Sequence, residues 1–376
     1  MTARIRQASA AAALVAVLAL AGCAGSTSAG EPTADPGAGH AITYAGPLGP
    51  EDVLADPKAY VGETTARIVR TMVERYEPPS PADLQLPAEV ISYDPGGEST
   101  VTVDNADRIV AVDVSGSIAA TLVWMGLGDR VVGHDGSTEL PELADAPVVT
   151  SSGHVIDPEA VLAQEPTLVI TDGSIGPQDG FAQLRDAGVA VVYIQDLEGF
   201  EGAQERIRQV GAVVGMSARG EALAEDLGLA IAEVTHEVHA IAPGKQEDRL
   251  RMAFLYLRGS AGVYYLFAEE SGASDLIYAL GGIDVAKENG IRGLAPLTDE
   301  AVLAANPDVI LVMTDGLESV GGVDGLLASK PAIALTAAGE NRRFIVMDDR
   351  ELLGFGPRSA DVLDALARAI YAPDAK

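Results

Sequence analysis

One octapeptide occurs twice in this chain. Glu159-Ala-Val-Leu-Ala-Gln-Glu-Pro166 returns as Glu300-Ala-Val-Leu-Ala-Ala-Asn-Pro307, and each copy runs into an apolar stretch ending in Thr-Asp-Gly, at residues 171–173 and 314–316. The offsets, 141 and 143 residues, are far longer than a solenoid period, so the chain is built as two homologous lobes and not as an array. Each copy reads as a short helix that begins with Glu, stops before Pro and feeds a buried strand. Similar runs at 108–112, 130–133, 189–194, 251–256 and 344–347 alternate with helical patterns, which predicts parallel sheets covered by helices. Val90-Ile-Ser-Tyr93 and Ser99-Thr-Val-Thr-Val103, joined by Asp94-Pro-Gly-Gly97, read as a hairpin.

Between the two groups lies residues 216–242, rich in Ser, Ala and Glu and free of Pro until Pro243. A helix of this length spans about 40 Å at about 1.5 Å per residue, which suits a strut between lobes. The expected division is an N-terminal lobe at 86–215, the linking helix at 216–242 and a C-terminal lobe at 243–376. A hydrophobic content of 48% is enough for a large core. The formal charge of −30, from 25 Lys+Arg against 55 Asp+Glu, argues against nucleic acid as a partner, because phosphate binding needs concentrated cations.

The one cysteine, Cys23, removes disulfide frameworks, thiolate zinc sites and iron–sulfur clusters together. It follows Arg4, Arg6 and an apolar run at 10–21 that is shorter than the roughly 20 residues of a membrane span, and the whole reads as a secretion signal. Leu20-Ala-Gly-Cys23 resembles the lipobox at which bacterial lipoproteins are cut and acylated. That resemblance implies a signal peptide at 1–22, a lipid on Cys23, and a place on the extracellular face of the cytoplasmic membrane, touched only through the anchor. Residues 23–45, mostly Gly, Ala, Ser, Thr and Pro with scattered acids, suit a flexible tether. Residues 46–85 form an extra N-terminal segment with one predicted helix over 63–76 and no role that the sequence assigns.

Ligands of open α/β sheets collect outside the carboxyl ends of the strands, and two such lobes set those ends face to face across a cleft. The expected fold is therefore α/β, two Rossmann-like lobes with parallel sheets joined by one long backbone helix. From about residue 86 onward the chain resembles the helical-backbone, or class III, substrate-binding proteins that serve ABC importers. That likeness implies ABC permease and ATPase subunits as partners, a monomeric state and no catalysis.

Five histidines stand at 40, 134, 154, 236 and 239. His236 and His239, three apart on the strut with no third ligand, read as solvated helix surface. His154, in Ser152-Gly-His-Val-Ile-Asp-Pro-Glu159, occupies the loop leading into the first repeat helix. In the other lobe Phe254-Leu-Tyr-Leu-Arg-Gly259 puts Tyr256 at a strand's carboxyl end and Arg258 two residues on, on the same face. A cation beside a phenol favours the phenolate that a ferric ion takes. One imidazole and one phenolate make a poor zinc site but a good axial pair for haem iron, and small and apolar residues at 259–267 and 321–327 could wall a flat macrocycle.

These words, with Gly316-Leu-Glu-Ser-Val-Gly-Gly-Val-Asp-Gly-Leu-Leu327 and Gly354-Phe-Gly-Pro-Arg358, resemble the haemin-binding lipoproteins of haem-import systems in Gram-positive actinobacteria. The resemblance implies haem b as transported ligand, His154 and Tyr256 as its axial ligands, and Arg258 hydrogen-bonded to the Tyr256 oxygen. It also implies Met313 as a cleft wall beside the porphyrin and His134 as a minor rival to His154. Ser115 and Ser117, at a helix N-terminus, are candidates for the haem propionates. Docking onto the permease is implied for Glu159 of the first lobe and Asp284 of the second. A ferric siderophore, a corrinoid or a metal ion on the same fold is the alternative cargo, and haem-donating surface proteins are further possible partners. No Gly-x-Ser-x-Gly elbow, His-Glu-x-x-His or phosphate loop occurs.

Overall fold

The computed structural model describes residues 46–151 and 154–374; the expected signal peptide, the tether and Cys23 lie outside the described residues. The first lobe is built on a four-stranded, wholly parallel sheet in the order Val131–His134, Ile109–Val112, Leu168–Thr171, Ala190–Tyr193. Its two central strands are buried along their whole length, as short β-branched runs covered on both faces must be. The hairpin pairs Ala88–Asp94 with Gly97–Val103, and the Ser92 hydroxyl accepts from the Tyr193 amide at 2.9 Å, fixing the hairpin to the sheet's edge.

The second lobe carries a seven-stranded sheet and departs from the all-parallel expectation. Thr64–Thr65, Phe344–Met347, Val309–Met313 and Arg251–Arg258 run parallel, with Ile283–Asp284 also alongside the last of these. Beyond Arg258, Gly262 at φ 64° turns the chain straight back, so that Val263–Phe267 pairs antiparallel with Phe254–Arg258. Leu294–Pro296 then adds a further antiparallel strand.

The strut is the helix Ser217–Ile241. Its buried Leu223, Leu227, Ala230, Val234 and Val238 recur at three- and four-residue spacing, and the helix packs on Gly199–Val213 of the first lobe and Ser359–Tyr371 of the second. Gly211 and Gly220 meet where strut and preceding helix are closest: a Cβ on Gly211 would stand 2.7 Å from the Gly220 Cα. One hydrophobic cluster runs from Leu122 and Ile207 through Leu227 to Leu311 and Leu366, so both lobes share a core with the strut. Among the described residues no helix is long and apolar enough to cross a membrane.

The two repeat copies fold alike. Asp157 caps the helix Pro158–Leu162 by accepting from the Glu159 and Ala160 amides, and Thr298 caps Asp299–Ala305 by accepting from Ala301. Each copy then reaches a left-handed residue directly before its proline, Glu165 at φ 47° and Asn306 at φ 38°.

The helix predicted over 63–76 does not form. Thr64–Thr65 adds a parallel strand beside Ile345–Val346, and residues 66–80 run on without regular structure as a strap across the molecule. Arg70 pairs with Glu237 of the strut at 2.8 Å and with Asp364 of the second lobe at 2.9 Å. Val73 accepts from the Trp124 indole at 3.0 Å, the Tyr76 amide donates to the Trp124 carbonyl at 2.8 Å, and the Gln85 amide donates to Gly215. Val61, Ile68, Val69 and Val73 are poor helix formers, and tertiary hydrogen bonds to both lobes outweigh the weak local preference.

Candidate functional site

The strand ends of the two sheets open on one cavity of about 490 Å³. On the second-lobe side, Phe254, Tyr256 and Arg258 alternate onto the cavity face, while Leu255 and Leu257 enter the core behind the sheet. Phe267 returns on the neighbouring strand to meet Tyr256 edge-on, ring centroids 5.8 Å apart and planes at 88°, and packs on Phe254 at 4.6 Å. Phe355 completes an aromatic floor.

Arg258 is held on three sides. Its guanidinium lies over the Tyr256 ring, 4.6 Å from the centroid, donates to the Leu257 carbonyl at 2.9 Å, and pairs with Asp349 at 3.2 Å. Among the described residues nothing hydrogen-bonds the Tyr256 hydroxyl. Asp349 accepts from the Asp315 amide at 2.8 Å, and burial, opposed by Arg258, pushes its carboxyl above the ordinary range.

The first lobe faces this with His154, exposed on the loop between Thr150–Ser151 and Val155–Ile156, its carbonyl anchored by the Gly176 amide at 3.0 Å. Below it the wall is acidic. Asp172 lines the cavity with its carboxyl pushed up to about 7, first by burial and then by Asp113, although the Ser174 amide and hydroxyl donate to it. Asp135, behind it, is pushed up to about 6 by the same two causes. Glu198 is likewise raised, by burial and by Asp196.

Several expected residues sit elsewhere. Ser117 is the first residue of the helix Ser117–Trp124, whose cap is Gly116 at φ 69°. The donors of that N-terminus are already taken: the Ser117 amide, the Ser117 hydroxyl and the Ser115 hydroxyl all donate to Asp113 Oδ2, at 3.0, 2.6 and 3.0 Å. An internal carboxylate therefore occupies the place expected for a propionate. Ser115 still reaches the cavity wall; Ser117 does not.

His134 is not at the cleft. The chain folds back so that Val148 bridges to it, the ring is buried, and its nitrogens lie 2.7 and 3.1 Å from the Asp135 and Ala146 carbonyls. Met313 is fully buried with Val309, Leu311 and Met347 and lines no part of the cavity. Residues 321–327 also stand away from it, whereas Phe267, in the other expected wall, lines it.

Asp284 is a helix cap, 9% exposed, accepting from the Ala286 amide at 2.8 Å, from Lys287 and from the Ser274 hydroxyl, so it presents no charge to a partner. Glu159 is exposed on the first turn of its helix, and Glu300, its repeat counterpart, is exposed in the same way.

Asp172, Phe254, Asp315 and Phe355 went unassigned in the sequence, although the first and third belong to the repeated Thr-Asp-Gly at strand ends. Arg206, Asp349 and Arg350 carried no signal of their own.

The sequence profile described as periplasmic binding protein matches residues 110–351. A crystal structure of the haem-binding protein HmuT is 38% identical, superposes with a TM-score of 0.74, and covers 84% of this chain and 99% of its own. Solved variants of HmuT carry single alanine replacements of a His, a Tyr and an Arg, the last two standing two residues apart. The periplasmic haem-binding protein RhuT from Roseiflexus sp. RS-1, in apo form, is 38% identical with a TM-score of 0.64, over 72% of this chain and 99% of its own. An ABC transporter substrate-binding lipoprotein of Bacillus subtilis (strain 168), YvrC, described as uncharacterized, is 22% identical over 287 residues, 76% of this chain and 86% of its own.

Proposed function

The chain belongs to the periplasmic binding protein family, and on that premise we propose that it binds haem in the cleft between its lobes and delivers it to an ABC permease for iron acquisition. The observation that carries this is the strand-held Tyr256–Arg258 pair facing a loop histidine across one cavity. Haem iron takes tyrosinate and imidazole, one from each side of the ring. The remaining features fit a flat ring with an apolar face: the volume lies within the range of about 300–1,000 Å³ usual for small-molecule sites, and three phenylalanines form the floor.

Tyr256 supplies the oxygen ligand from a rigid strand. Arg258, already against the phenol ring, supplies a positive charge beside that ligand. His154 supplies the second ligand from the opposite lobe. A bare metal ion is a weaker reading, since among the described residues no group of three or more His, Cys, Asp or Glu is placed to hold one. The protein acts in this reading as a monomeric carrier without chemistry of its own, anchored through Cys23 and docking its permease through Glu159, while the ATPase drives transport.

The test is optical titration. Protein lacking its signal peptide, mixed with haemin, is expected to give a Soret band that saturates at one equivalent. Absence of a saturable band, together with a siderophore, corrinoid or metal adduct in native mass spectra of protein from rich medium, would overturn the haem assignment.

A further inference from the structure

We infer that Arg350 takes a carboxylate of the ligand, and that Glu139 is an internal substitute for that carboxylate which competes with the ligand for Arg350. The inference deepens the haem reading and rests on it, since haem carries two propionates.

Three guanidinium groups reach the main cavity, those of Arg206, Arg258 and Arg350. Arg206 is 4% exposed and is fixed by the Phe355 and Leu197 carbonyls at 2.7 and 3.1 Å. Arg258 is committed to Asp349, whose side chain is 10% exposed. Arg350 differs in that both of its partners are open to water: Glu139, at 2.9 Å and 62% exposed, and Asp348, at 3.4 Å and 50% exposed. A solvent-screened pair of this kind is held weakly, so exchange of Glu139 for another carboxylate costs little.

The position is equally selective. Glu139 belongs to the first lobe and Arg350 to the second, so the pair crosses the mouth of the cleft. Beside it a small side cavity of about 50 Å³ is lined by Ser137, Thr138, Arg350 and Arg358, and Arg350 shares both cavities only with Ser115 and Ser137. The rest of the main wall carries Asp196 and Asp315, which repel an anion, and the carboxyls of Asp172, Glu198 and Asp349, which offer it no cation. The nearby helix N-terminus is closed to one by Asp113. Arg358, the other cation of the side cavity, is bonded to the deeper Glu351 at 2.6 Å. A dianionic macrocycle that meets Tyr256 with its iron is left with Arg350 as the exchangeable cation for its acid edge.

The experiment compares haemin with the dimethyl ester of the same ferric porphyrin, which keeps ring and iron but has no carboxylate. Dissociation constants are read from Soret titrations of the full mature chain. Arg350→Ala is expected to weaken haemin about tenfold and leave the ester unchanged, with Arg350→Lys in between. Glu139→Gln is expected to tighten haemin about threefold, to leave the ester unchanged, and to have no effect once Arg350 is Ala. Both effects shrink as salt is raised. Unchanged far-UV circular dichroism and melting temperature show that each variant is folded. Equal losses for haemin and ester in Arg350→Ala, or haemin binding weakened by Glu139→Gln, would overturn the assignment while leaving the haem reading intact. Failure of the wild type to bind haemin at all would overturn both.

Discussion

The words Thr171-Asp-Gly173 and Thr314-Asp-Gly316 are identical, and both open on the cleft, but the two lobes treat their acids differently. In the first lobe Asp172 and Asp135 both lie near Asp113, and the hydrogen-bond partners of these carboxyls are hydroxyls and amides with no guanidinium among them, Asp113 Oδ1 being left with none. In the second, three acids around the cleft have an arginine, Asp349 with Arg258, Glu351 with Arg358 and Asp348 with Arg350, while among the described residues the Asp315 carboxyl has none. The ligand-bearing side chains differ in the same sense. Tyr256 stands half-buried on a strand of the second sheet, braced by Phe267 and Arg258, while His154 is exposed on a loop. A repeated sequence thus yields one lobe that presents a preorganised ligand and another that supplies an adaptable one.

The largest effect expected from this asymmetry is on the cargo. Tyr256→Ala should lower haemin affinity about a hundredfold, and His154→Ala only about tenfold, because fixing the exposed His154 side chain already offsets part of what its imidazole contributes. Paired Soret titrations decide, and equal losses would erase the distinction between the lobes. In the His154 variant the spectrum should also change from six- to five-coordinate iron.

The next effect concerns the acids without cations. A carboxyl raised to about 7 in the folded state, against about 3.9 in the unfolded chain, keeps its proton on folding. Its contribution is fully present below pH of about 4 and is lost as pH rises through about 7. Asp172→Asn removes that titration, so its advantage over the wild type should grow steadily as the pH is raised from roughly 4 to roughly 8 in urea unfolding. A constant difference over that window would show that Asp172 is not proton-linked to folding. Smallest is the reciprocal change in the second lobe. Arg358→Met strips Glu351 of its partner and should cost about 1 kcal/mol at neutral pH, an effect modest because both side chains are 26% exposed. Guanidinium unfolding at fixed pH, or a null result there, sharpens how far arginine pairing distinguishes the lobes.

Much of this architecture was legible before any coordinates. A repeat at a 141-residue offset means two lobes, and a helical stretch without Pro or late Gly means a strut. A period of two places Tyr256 and Arg258 on one face, and a loop before a capped helix places His154 opposite. What stayed hidden has physical reasons. Strands buried on both sides carry no alternation, so nothing in Val309–Met313 told which face Met313 takes. His134 is covered by a chain that returns 14 residues later, a tertiary event. Asp284 did carry a signal, as an Asp directly before a short run of helix formers is a cap first and a docking charge second. The helix expected over 63–76 gives way to a strap because its partners, at 345–346, 361 and 364, lie almost 300 positions away.

The strap has a mechanical meaning. A body joined to its neighbour by one rod can twist about it; a body joined by a rod and, beside it, a stay pinned at Arg70 and again at Trp124 has that rotation blocked unless the pins are drawn. With a common apolar interior beneath both connections, gross jaw-like opening is closed off as a route for cargo. Admission and discharge are then left to the rim of the cleft, where His154 stands exposed, and any machine that empties this carrier has to act on that margin and not pry the halves apart.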